Sequence, residues 1–129
     1  ATKFAAAKLS ELAVGIGPFV VGPAVERKIG TAAFCAMTIN AEKWFDANWA
    51  REKGLYTEVF DLADEMDTEI QKLATTLSQS NPEAMQELKK VMWEGSENWD
   101  TLLMERAERS GKLVLSEFTR NAIEKFKTK

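Results

Sequence analysis

Histidine is absent from this 129-residue chain, and cysteine occurs once, at Cys35. Those shortages remove most nucleophilic and metal chemistry. A reactive thiolate ordinarily needs a base such as histidine, zinc sites draw on Cys and His, and a lone cysteine forms no internal disulfide. Basic residues are also outnumbered, with 17 Lys plus Arg against 20 Asp plus Glu and a formal charge of −3. Such a chain has no general attraction for phosphate backbones, which argues against nucleic acid as a partner. Long apolar runs are missing too. The longest, Leu12 to Val25, is broken by Gly15, Gly17, Pro18, Gly22 and Pro23, so it is neither a membrane span nor a signal-peptide core. No Gly-rich phosphate loop followed by Lys and Ser or Thr occurs, and the Asp and Glu residues are scattered rather than clustered for a metal.

What is present is ordinary globular composition, 45% hydrophobic and 29% charged. The length implies one small domain that buries about two thirds of the surface exposed by its unfolded chain. Cys35, beside Ala33, Phe34 and Met37, is expected as a buried apolar thiol, which fits a reducing, cytoplasmic setting. Met37, Met66, Met85, Met92 and Met104 have helical neighbours and are expected to fill a core. Trp44, Trp49, Trp93 and Trp99 are expected in packing or subunit contacts, because Trp buries a large apolar area while keeping one donor.

Local patterns place the elements. Ala5 to Val14 is compatible with a short strand followed by a loop, although propensity alone equally permits a helix, and Val20 to Ile29 with a helix that opens near Gly22-Pro23 and ends at Gly30. Thr31 to Ile39 continues as a second helix. Asp46 to Lys53 is a helix closed by Gly54, and the alternation in Leu55 to Phe60 predicts a short strand. Leu62, Met66, Ile70, Leu73 and Leu77 form one stripe of an amphipathic helix. Asn81-Pro82-Glu83 starts another, since Asn caps free N–H groups, Pro suits the first turn and Glu favours the positive end of the dipole. A helix over 97–115 and a final one capped by Ser116 complete the chain.

Four segments together resemble the crotonase (enoyl-CoA hydratase/isomerase) family. Ala5 to Gly30, AAAKLSELAVGIGPFVVGPAVERKIG, is similar to the family's A-x-F-x-x-P-E followed by L-G-x-x-P and a helix ending in Gly. Asn40 to Phe60, NAEKWFDANWAREKGLYTEVF, resembles L-T-G-x-x-F-S-A-x-x-A-x-x-x-G-L-V-x-x-V, with Phe45, Ala47, Ala50, Gly54 and Leu55 in register. Ser80-Asn81-Pro82-Glu83-Ala84 is similar to N-S-P-E-A, and Ser116-Glu117 with Arg120, Ala122, Ile123 and Phe126 to S-E-D-x-R-E-G-I-x-A-F. There are departures. Ser10 stands where Pro is usual and Ala7 where Phe is usual, and Phe19 to Pro23 resembles the I-P-x-x-I-S-P loop of methylglutaconyl-CoA hydratase-like members.

The resemblance implies the C-terminal portion of an α/β crotonase-like spiral fold, mostly helical, with short strands near 5–14 and 55–60. Residues 1–60 would belong to the core with the catalytic-glutamate segment, and 61–129 would be a helical region for core packing and oligomerisation. It places Glu11 on the family's acid/base glutamate and Lys129 on a C-terminal lysine that contacts coenzyme A. The alternative for each is plain: a solvated or helix-capping Glu11 and a frayed terminal Lys129. The oxyanion-hole donors, the second glutamate and most of the CoA pocket would lie upstream of Ala1, so this chain alone is expected to be inactive. The implied reaction is hydration of a 2-enoyl-CoA in fatty acid metabolism. The acyl-CoA thioester would be the substrate, no metal or redox cofactor is implied, and the partners would be the N-terminal half and a homotrimer or hexamer. An isomerase or another enolate-forming crotonase is the rival within the enzymes, and a non-catalytic helical interaction module is the rival outside them. Glu11 lies among Leu9, Leu12 and Ala13, and partial burial of that kind helps a carboxyl act as a proton donor.

Overall fold

The computed structural model describes residues 1–127. Its N-terminal part is built around a short antiparallel pair, β1 (Ala6–Ala7) and β2 (Phe45–Asp46), in which Ala7 faces Phe45 and Ala6 faces Asp46. After β1 the chain makes a 3-10 turn, Glu11–Val14, and a loop that leads into α1 (Gly22–Ile39). Pro23 sits in the first turn of α1, where its missing N–H leaves no bond unmade. Gly30, at φ 77° and ψ 159°, interrupts α1 with a backbone conformation that is essentially reserved to glycine. The break expected at this residue is there, as a kink between two helical stretches.

Ile29, Ala33 and Met37 recur every fourth residue of α1 and are buried with Leu9 and Phe45. Trp49 flanks Phe45, with ring centroids 4.3 Å apart. Cys35 lies on the other side of the helix and is exposed, contrary to the buried thiol expected from its neighbours in sequence. The reason is angular: two residues of helix turn a side chain through about 200°, so flanking Ala33 and Met37 points Cys35 away from their face.

Asp46 ends β2 and caps α2 (Ala47–Glu52), its carboxylate accepting from the Trp49 N–H at 2.8 Å. The strand expected over 55–60 does not form along its length. The N–H groups of Leu55 and Tyr56 are both donated to the Ala50 carbonyl, at 2.8 and 3.1 Å, and so close α2 instead of entering a ladder. Only Phe60 pairs, through a parallel bridge to Thr2.

The rest is helical: α3 (Ala63–Ser78), α4 (Pro82–Met92), α5 (Trp99–Val114) and α6 (Glu117–Lys127). Their starts follow local chemistry. Glu65 accepts from the Leu62 N–H, Asn81 from Glu83 and Ala84, and Ser116 Oγ from Thr119. Arg27 of α1 reaches the far end of α4 and donates to the carbonyls of Met92 and Glu94 at 2.5 and 2.9 Å. Beside that clasp, Trp93 and Trp99 meet edge to face at 5.7 Å.

No residue of α3, α4 or α5 is buried. The stripe on α3 is there, but Leu62, Ile70, Leu73 and Leu77 are exposed, as are Leu88, Val91 and Met92 on or near α4. Met92 and Met104 therefore do not fill a core, although Met37 does. The accessible surface is 9452 Å² at 14.4 kDa, against about 6,800 Å² for a compact monomer of that mass. About 55% of the unfolded chain's surface is covered rather than the expected two thirds. The apolar stripes have the period of packed helices but, among the described residues, stay largely uncovered. Among the described residues, no helix is long and apolar enough to cross a membrane.

Candidate active site

Leu9, buried in the core, anchors the chain just before the turn that carries Glu11. Within that turn the Gly15 N–H donates to the Leu12 carbonyl at 3.1 Å, and the Ile16 N–H to the Glu11 carbonyl at 2.9 Å. Gly15 takes a left-handed conformation, φ 84° and ψ 18°, which closes the turn. Glu11 is thereby half-buried. Its Oε2 is shielded from solvent and has no hydrogen-bond partner among the described residues. Leaving a buried polar atom unmatched costs about 1–3 kcal/mol, so structures that keep one commonly use it.

Two distant elements close on this turn. A Cβ at Gly15 would stand 2.5 Å from Phe118 Cδ1 and 2.8 Å from Thr119 Oγ1, so α6 approaches the turn more closely than any side chain there would allow. From α5, Arg106 Nη1 donates to the Phe19 carbonyl at 3.3 Å, across 87 residues of sequence. Pro18 is buried, and the Gly22 N–H returns to its carbonyl at 2.8 Å, which ties the loop to the start of α1. Sequence reasoning selected neither Thr119 nor Arg106. Nothing near either residue signals its contact, because both partners lie in another part of the chain.

A separate apolar groove of about 350 Å³ runs between the 55–60 segment and α3, lined by Leu55, Tyr56, Phe60, Met66, Ile70 and Leu73 among others. Glu11 is not part of it. Lys129, the expected coenzyme A contact, lies outside the described residues. Among the described residues, no group of three or more His, Cys, Asp or Glu side chains is placed to hold a metal ion.

No protein-family model matches the sequence, and no curated protein does. Solved structures do match. An enoyl-CoA hydratase/isomerase from Pseudoalteromonas atlantica T6c superposes with a TM-score of 0.84 at 20% identity, over 97% of this chain and 50% of its own. An enoyl-CoA hydratase from Mycobacterium avium gives 0.81 at 24% identity, over 91% of this chain and 45% of its own. One from Shewanella pealeana gives 0.65 at 25% identity, over 97% and 46%. The fold is therefore that of the crotonases, and the chain spans about half the length of the structures it matches.

Proposed function

We propose that this chain supplies one half of an enoyl-CoA hydratase-type site, with Glu11 as its general acid/base and a 2-enoyl-CoA thioester as substrate. The observation that carries the reading is the shielded Oε2 of Glu11, without a hydrogen-bond partner among the described residues, within a crotonase fold. In the hydration direction, water oxygen bonds to the β-carbon as the π electrons move towards the thioester, and the Glu11 carboxyl delivers a proton to the α-carbon. The transient enolate oxygen needs N–H donors, and the attacking water needs a second base; by resemblance to the family, the other half of the fold would provide both. Coenzyme A enters as part of the substrate, and no further cofactor is invoked. The uncovered stripes of α3 and α4 support assembly, with the complementary half and with further copies as a trimer or hexamer. The surface left beyond a compact monomer is about 2,600 Å².

The test is Glu11→Gln in the complete enzyme. Loss of a positioned acid/base is expected to slow hydration by about 10²–10⁴-fold, with assembly unchanged by size-exclusion chromatography. Near-normal turnover of an enoyl-CoA refutes the assignment. A second reading, enoyl-CoA isomerase, draws support from the same side chain, since one carboxylate can move a proton between two carbons. A double bond shifted without uptake of water identifies that reaction.

A further inference from the structure

The shielded Oε2 of Glu11 accepts no hydrogen bond among the described residues, so no partner on that oxygen fixes the carboxylate. Its placement must then come largely through the backbone of the turn. That turn is supported by the preceding Leu9 anchor, by α1 and, from far along the chain, by α6, while α5 holds the loop that follows it. We propose that Thr119 and Arg106 are positioning residues: from the C-terminal helices they hold the turn and loop around Glu11, and so set where its carboxylate stands.

Thr119 is fully buried, which is unusual for a hydroxyl side chain in a chain with so little core. Its Oγ1 lies 3.1 Å from Ser116 Oγ, and its N–H donates to the same oxygen at 3.2 Å. The first turn of α6 is thus locked internally where it meets Gly15. That closeness requires glycine at 15, so any movement of α6 is passed to the residue that closes the Glu11 turn. Arg106 acts on the next stretch. Its Nη1 holds the Phe19 carbonyl and lies 3.5 Å from where a Cβ on Gly22 would be, fixing the loop between the turn and α1. The helical region therefore does more than offer surface for assembly. It forms the back wall of the glutamate's support.

This inference rests on the acid/base reading of Glu11, and the experiment separates the two. Thr119→Val, Thr119→Ser, Arg106→Met and Arg106→Lys are measured in the complete enzyme, each alone and combined with Glu11→Gln. Misplacement of a reacting group by 1 Å can cost 10²-fold in rate. Thr119→Val and Arg106→Met are accordingly expected to lower kcat about tenfold or more, with KM nearly unchanged. Thr119→Ser and Arg106→Lys restore most of that loss. In the Glu11→Gln background none of the four lowers kcat further, because the group they position is gone. Equal losses in both backgrounds, or an unchanged kcat in Thr119→Val and Arg106→Met, overturn the proposal. Amide exchange of Gly15 and Ile16 gives a readout independent of activity: it accelerates in Thr119→Val, and unchanged protection refutes the clamp whatever Glu11 does. Should Glu11→Gln itself turn over normally, the functional reading falls while the exchange data still decide the clamp.

Discussion

Replacing glycine by alanine at two positions of this chain is expected to change stability in opposite directions. At Gly30 the backbone sits at φ 77° and ψ 159°, inside the kink of α1. A Cβ built there meets nothing within 4 Å, so the penalty contains no clash and is purely conformational. An L-residue held in that region costs about 1–3 kcal/mol. Gly111 lies within α5, its φ is not positive, and a Cβ there also meets nothing within 4 Å. Alanine at 111 should gain about 0.5–1 kcal/mol, because it loses less backbone freedom on folding. Denaturant titration of the assembled protein should then separate the two variants by about 1.5–4 kcal/mol, with wild type between them. In thermal unfolding each kcal/mol corresponds to roughly 3–6 °C at this chain length. A Gly30→Ala protein as stable as wild type would refute the conformational argument. It would mean that α1 straightens at little cost, and amide shifts from Lys28 to Ala32 would report the change.

Further expectations concern the core, the thiol and an acid-sensitive joint. Met37, only 2% exposed, is the largest fully buried apolar side chain among the described residues, and Met37→Ala should cost about 2–5 kcal/mol in the same titration. Cys35 is exposed, so one equivalent of a thiol reagent should react under native conditions; a thiol that reacts only after denaturation contradicts this placement. At the α4–α5 junction, hydrogen bonds from the N–H groups of Glu97 itself and of Gly95, with Arg27 nearby, hold the Glu97 carboxyl below its ordinary value of 4.5. A lowered folded-state value means that this stabilisation is complete above the ordinary value and is lost as pH falls through the lowered one. Fluorescence from the adjoining Trp93 and Trp99 should therefore change in acid below pH 4.5, and Glu97→Gln should remove that transition.

Much of the helical framework was legible in the sequence because its causes are local. The start at Asn81, the cap at Ser116, the break at Gly30 and the stripe from Leu62 to Leu77 depend on residues within a few positions of one another. The crotonase fold was legible from the order of four weak segments. The strand expected over 55–60 failed for a reason that alternation cannot reveal, since the N–H groups of Leu55 and Tyr56 were already taken by Ala50.

By itself, then, the sequence determined which stretches are helices, where they begin and which residue types share a face, since backbone sterics and capping act over one or two turns. Tertiary structure alone decided which faces are covered. It brought Thr119 and Phe118 onto Gly15, joined Arg106 to Phe19, turned Cys35 outward and left Glu11 with a shielded Oε2 that has no hydrogen-bond partner among the described residues. Those outcomes depend on pairs of groups far apart in the chain, and no local pattern encodes the distance between them.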